Sequence, residues 1–213
     1  MAYGTQQGSD YTYFKIEGLK PGSTELYFKG QRKGTDGYED IPEKPTFLEG
    51  HLSSVETSTF EYQGKSVDTV KIIFKDGEDA YLLEGGYSMM MVGLINGMLG
   101  AESLGKLNLS LYFSKGDKGS FPTMMAKHGS SNGEKLSWDV PYDKIKKMIK
   151  VTDLGGGEMH HNKTKLIEYL KKRIEEELPS KIQTYVAPEV TTPTIDESNP
   201  VEIETETGDD LPF

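Results

Sequence analysis

The 213-residue sequence predicts a mainly β protein, and three observations carry that expectation. Short runs alternate apolar with polar residues, the period of a strand with one buried face. Turn formers separate these runs, as in Lys20-Pro21-Gly22, Gln63-Gly64-Lys65 and Asp76-Gly77. Helical periodicity is confined to Ser88–Leu99 and to the region after Pro141.

Taken in order, Tyr11–Glu17 sets Phe14 and Ile16 against Tyr11, Tyr13 and Lys15. Thr24–Lys29 repeats the pattern, with Leu26 and Phe28 inward and Tyr27 and Lys29 outward. Gly30–Pro45 reads as a polar, charged loop carrying Arg32 and Lys33. Thr46–Glu56 is a strand that Thr59–Tyr62 continues after a kink, and Val67–Lys75 and Ala80–Glu84 follow it. Val70, Ile72 and Phe74 inward place Lys71 outward, and Leu82 inward places Tyr81 outward. Ser88 is positioned to cap a helix in which Met91, Leu94, Ile95, Met98 and Leu99 recur at helical spacing.

Lys106–Phe113 returns to strict alternation, with Leu107, Leu109, Leu111 and Phe113 opposite Asn108, Ser110 and Tyr112. Ser114–His128, with Lys115, Lys118 and Phe121, reads as a long loop that either clasps a ligand or packs down on the body. Lys135–Val140 is the last strand, and Trp138 shares a face with Leu136 and Val140, which assigns it to the core. Three strands, a helix and two strands is the order of an OB fold. The expectation is a five-stranded OB-fold barrel with extra N-terminal strands over residues 1–140.

Residues 141–184 read as a helical extension. Tyr142–Val151 is a short basic helix, Gly155–Gly157 a flexible joint, and Asn162 the cap of a helix running to about Leu178, before Pro179. Its stripe of Leu166, Ile167, Leu170, Ile174 and Leu178 packs on the barrel or on a second subunit, so a homo-oligomer stays open. Residues 185–213 hold eight acids, four prolines and no Lys or Arg, the composition of a disordered tail.

The formal charge of -10 is therefore concentrated in the tail, and the body is close to neutral. A nucleic-acid site remains compatible with it, because the local field decides attraction. The absence of cysteine excludes disulfides and thiolate metal sites and fits a cytoplasmic protein. The start shows no secretory pattern, and the apolar run Met89–Leu99 is too short to span a membrane. Enzyme signals dissolve. The near P-loop at Gly100–Leu107 puts Leu107 where a magnesium-holding hydroxyl is required, and adjacent His160 and His161 diverge on a helix. No cofactor and no catalytic residue is expected.

What recurs is an outward aromatic beside a lysine or arginine: bases stack on the rings while cations follow the phosphates. Tyr11, Tyr13, Lys15, Tyr27, Lys29, Arg32, Lys33, Lys71, Tyr81, Tyr112, Lys115, Lys118 and Phe121 are the candidate contacts. The plainer account is that tyrosine favours strands and lysine solvates their surface.

The sequence closes on Asp209, Asp210, Leu211, Pro212 and Phe213. This ending resembles the acidic Asp-Asp-Ile-Pro-Phe tip of bacterial single-stranded-DNA-binding proteins, with Leu211 in place of Ile, and bacteriophage single-stranded-DNA-binding proteins carry similar tails. The resemblance implies a protein that coats single-stranded DNA in replication, recombination and repair. It also implies that the five tip residues recruit partners such as polymerase, helicase or nuclease, the Phe213 ring entering a pocket while a basic residue grips the carboxylate. An RNA-binding OB module and a protein-only adaptor are the alternatives.

Overall fold

In the computed structural model, which describes residues 11–19, 23–34, 37–116, 119–155 and 158–186, the alternating runs assemble into one eight-stranded sheet. β1 (Tyr11–Glu17), β2 (Tyr27–Gly34) and β3 (Gly37–Asp40) form an antiparallel meander. β4 (Phe47–Tyr62), β5 (Lys65–Asp76) and β6 (Asp79–Gly86) form a second. Helix α1 (Met89–Gly100) leads into the hairpin of β7 (Lys106–Gly116) and β8 (Gly119–His128). The spatial order is β3-β2-β1-β6-β5-β4-β7-β8, with β1 parallel to β6 and every other pair antiparallel. This is an open sheet with edges at β3 and β8, where a five-stranded barrel was expected.

Turn chemistry sets the registers. Gln63 and Gly64 both adopt positive φ, 51° and 69°, the signature of the two-residue turn that matches strand twist. Gly77, at φ 61°, turns β5 into β6. The expected kink in β4 is a register shift between Leu52 and Ser54, several residues earlier than the sequence suggested. The Gly30–Pro45 loop is mostly strand: β2 runs on to Gly34 and pairs with β3. The Ser114–His128 loop is also strand. Pro122 is accommodated because β8 lies at an edge, where a missing N–H costs no ladder bond. Lys135–Val140, conversely, forms no strand beyond an isolated bridge between Lys127 and Lys135.

α1 is apolar on nearly all sides and accordingly buried, with Ser88 Oγ accepting the Met91 N–H at 3.2 Å. Its one buried polar side chain, Asn96, is fully used. Nδ2 donates to Val140 O at 2.8 Å and Oδ1 accepts from Val140 N–H at 3.0 Å. After α2 (Tyr142–Lys147), which ends earlier than expected, β9 (Lys150–Gly155) and β10 (Glu158–Asn162) form an exposed hairpin across the expected flexible joint. His160 and His161 lie on β10, just ahead of the last helix.

α3 (Thr164–Lys181) buries Leu166, Leu170, Ile174 and Leu178 against α1 and β4, so the stripe serves this chain's own core. Pro179 falls within its last turn. Lys181 holds that turn in place, donating to Leu99 O at 2.5 Å and Ala101 O at 3.0 Å at the end of α1. Asp68 pins the middle of α3, accepting from Thr59 Oγ1 at 2.7 Å and Lys171 Nζ at 2.9 Å.

Those two donors, Thr59 first, hold the Asp68 carboxyl below its ordinary range against the opposing effect of burial. A depressed folded-state pKa gives stability that is present above the unfolded value of about 3.9 and lost as pH falls through the folded one. Asp68→Asn should therefore be less stable than the parent at pH 7, and the gap should be smaller at pH 3. Urea unfolding at both pH values checks this; an equal gap at both would show that Asp68 has no pH-linked role.

Candidate nucleic-acid interface

Alternation sorts the strands into two faces. Phe14, Phe28, Ile72 and Leu83 point into the core, and the opposite face is built in register. There Tyr13 stands beside Gln31, Lys15 beside Lys29, Lys33 beside Tyr38, and Lys71 beside Glu84. Between these strands and the outer half of β4 lies a groove of about 710 Å³. Tyr13, Lys15, Lys29 and Lys71, all chosen from sequence alternation, line it together with Tyr38 and Phe60.

The Tyr13 and Tyr38 rings meet edge to face, with centroids 5.2 Å apart and planes at 90°. The Tyr38 hydroxyl and burial push the Tyr13 phenol up to about 12, so it stays neutral at physiological pH. Two of the groove cations are engaged: Lys15 pairs with Glu17 at 3.3 Å and Lys29 with Asp40 at 2.7 Å. That Asp40 contact raises the Lys29 pKa, and Lys29 followed by Gln31 lowers that of Asp40. The groove thus combines rings with lysines whose present partners are exposed carboxylates. A phosphate can replace such partners at small cost, because exposed ion pairs contribute little.

The remaining predicted contacts do not join this groove. Tyr27 and Tyr112 line a separate hollow, where Lys44 sits 4.9 Å from the Tyr27 ring centroid. Tyr11, Arg32 and Lys33 line another with Asp79. Arg32 pairs in register with Glu39, on the face opposite Lys33. Tyr81 is a correction. It lies on the core face, beside Phe74 in the register and 6.0 Å from the Phe14 ring, and burial raises its pKa. Leu82 takes the outward position, because the doubled Leu82-Leu83 left the parity of the strand undecided. Lys115 is exposed near the end of β7. Phe121 is exposed on β8, on a strand and not on a clasping loop. Lys118 and the tip Asp209–Phe213 lie outside the described residues.

Three aromatic residues were missed or misplaced. Tyr38 had been placed in a loop, and Phe60 was not weighed although it alternates outward from the end of β4. Trp138, expected in the core, is 43% exposed and lines a hollow with Tyr142, Phe121 and Tyr112. Its segment is not a strand, so the alternation that assigned it inward does not operate. Among the described residues no group of three or more His, Cys, Asp or Glu is placed to hold a metal ion, and no helix is long and apolar enough to cross a membrane.

Fold and site together define a mainly β chain with a large sheet, a C-terminal helix and a ring-and-lysine groove on the face away from the core. Comparison with protein-family models, with curated proteins and with solved structures finds no match to this chain.

Proposed function

We propose that this chain binds single-stranded DNA in the groove beside β1, β2, β5 and β6, acting stoichiometrically to protect exposed strands during replication, recombination or repair. The observation that carries the reading is the groove itself. Tyr13, Tyr38 and Phe60 offer faces or edges to unpaired bases, and Lys15, Lys29 and Lys71 offer charge to the phosphates between them. Bases in a duplex are stacked on one another and cannot reach such rings.

The strand order supports an OB-like reading of β4 to β8. An antiparallel meander leads into a helix and then a hairpin, and β4 pairs with both β5 and β7. In this reading β1, parallel to β6, occupies the edge of β6 at which an OB barrel would close on its own last strand. The main chain narrows the gap between the sheet's arms: Phe28 N–H donates to Pro45 O at 2.8 Å, and Leu111 N–H to Thr46 O at 2.7 Å. The acidic segment with Asp209, Asp210, Leu211, Pro212 and Phe213 is the proposed docking element for polymerase, helicase or nuclease, on the strength of its resemblance.

Fluorescence anisotropy with labelled dT and rU oligomers and a duplex, at two salt concentrations, tests the reading. The dT oligomer is expected to bind far more tightly than duplex, and binding should weaken as salt rises. Lys71→Gln should shallow the log–log salt slope by about 0.7 if that lysine meets one phosphate. Equal affinity for dT and duplex would overturn the proposal, and a clear preference for rU would favour the RNA module.

A further inference from the structure

Trp138, the one tryptophan of the chain, is an exposed ring on a fixed backbone. Residues 136–140 form neither helix nor strand, yet they are anchored throughout. Leu136 is buried and its N–H donates to Ala126 O at 2.9 Å. Asp139 N–H donates to Asn96 O at 3.2 Å, Asn96 takes both main-chain groups of Val140, and the Asp139 carboxylate pairs with Arg173. The segment also lies directly on α1. A Cβ at Gly100 would stand 2.3 Å from Ser137 O, and one at Gly93 would stand 3.3 Å from the indole. A large ring held out to solvent by so many bonds is a preorganised platform, because core packing does not require its exposure.

The hollow beside it measures about 480 Å³, within the range of small-ligand sites. Tyr142, Phe121 and Tyr112 contribute further rings, and Lys135 is its one charged lining residue. The Trp138 and Tyr142 centroids are 6.1 Å apart with planes at 45°, so the rings form adjoining walls. The sequence 135–150, which supplies Lys135, Trp138 and Tyr142 to this hollow, also carries Lys144, Lys146, Lys147 and Lys150 against Asp139 and Asp143, and Arg173 pairs with Asp139. On an acidic chain this is a locally basic stretch of sequence.

We propose that this hollow is a second nucleobase site, in which an unpaired base stacks on Trp138 and Lys135 faces its phosphate. The inference rests on the single-stranded-DNA reading above and places an added contact at the β8 edge, sharing no lining residue with the groove. Rings combined with a cation, and no carboxylate in the lining, match the chemistry of a nucleotide. A polypeptide adding as a strand is less well served, because Pro122 removes a main-chain donor from the β8 edge.

Trp138 fluorescence reads this site alone. A dT oligomer should quench it saturably, with the midpoint that anisotropy gives for the same DNA, and an abasic oligomer of equal length should not. Trp138→Leu should weaken dT binding about 5- to 100-fold, and Trp138→Phe, which keeps a ring, much less. If dT binds by anisotropy with Trp138 fluorescence and Trp138→Leu affinity unchanged, this site fails while the groove reading stands. If dT does not bind at all, both fail. Equal quenching by the abasic oligomer removes base stacking. Quenching by a peptide of residues 205–213 but not by dT assigns the hollow to a polypeptide and overturns the proposal.

Discussion

Asn96→Ala should cost about 3 kcal/mol of stability, a large loss for a single polar side chain. The amide is 1% exposed and serves as a two-pronged clamp, donating to Val140 O and accepting from Val140 N–H. Alanine leaves both part-buried main-chain groups of Val140 without their partners beside α1, at roughly 1–3 kcal/mol each. The effect should reach the surface, because residues 136–140 are held at Leu136, at Asp139 and through this clamp. Trp138 emission should shift as the segment loosens, before global unfolding. Urea unfolding followed by far-UV dichroism and by tryptophan fluorescence would resolve the two steps. A loss below about 0.5 kcal/mol with unshifted emission would mean that water replaces the amide and that the segment is held elsewhere.

This clamp illustrates what the sequence could and could not convey. The strands with strict alternation, such as Lys106–Phe113, were legible because one buried face imposes a period of two. The helix at Met89–Gly100 was legible from its Ser88 cap and the one at Thr164–Lys181 from its apolar stripe, although its N-cap position is Lys163 and not the expected Asn162. Their partners were not. The parallel pairing of β1 with β6 joins residues about 70 positions apart, and no local pattern encodes such a contact. Gly116 and Gly119 mimic a loop because paired strand ends and loops use the same residue type. Trp138 was misplaced for a related reason. Its neighbours alternate like a strand, but their burial comes from a glycine-bearing helix face and from Asn96, both some 40 residues away. The groove was half legible. The outward parity of Tyr13, Lys15, Lys29 and Lys71 followed from the strands that carry them, whereas Tyr38 and Phe60 joined only through the sheet order.

Replacing Tyr13 and Phe60 by alanine should separate stacking from charge in that groove. Each substitution is expected to weaken dT binding by roughly 1–3 kcal/mol, and the double variant by about the sum if the two rings hold different bases. Stability should change little at Phe60, whose ring is 45% exposed. Tyr13→Ala forfeits the edge-to-face contact with Tyr38, worth about 1 kcal/mol, so Tyr13→Phe is the matched control. It keeps the ring, loses only the hydroxyl, and should bind nearly as the parent does. Because the Tyr13 phenol titrates near 12, affinity should show no step from its ionisation between pH 7 and 9. Ring removal takes away no charge, so the salt slope should stay at its parent value while the whole line drops. Lys71→Gln should do the reverse, tilting the line by about 0.7 with a modest change at low salt. A groove that merely solvates the sheet predicts neither pattern. Parent-like dT affinity in the double variant, with its melting transition intact, would remove the rings from the interface and with them the reason for assigning single-stranded DNA to this face.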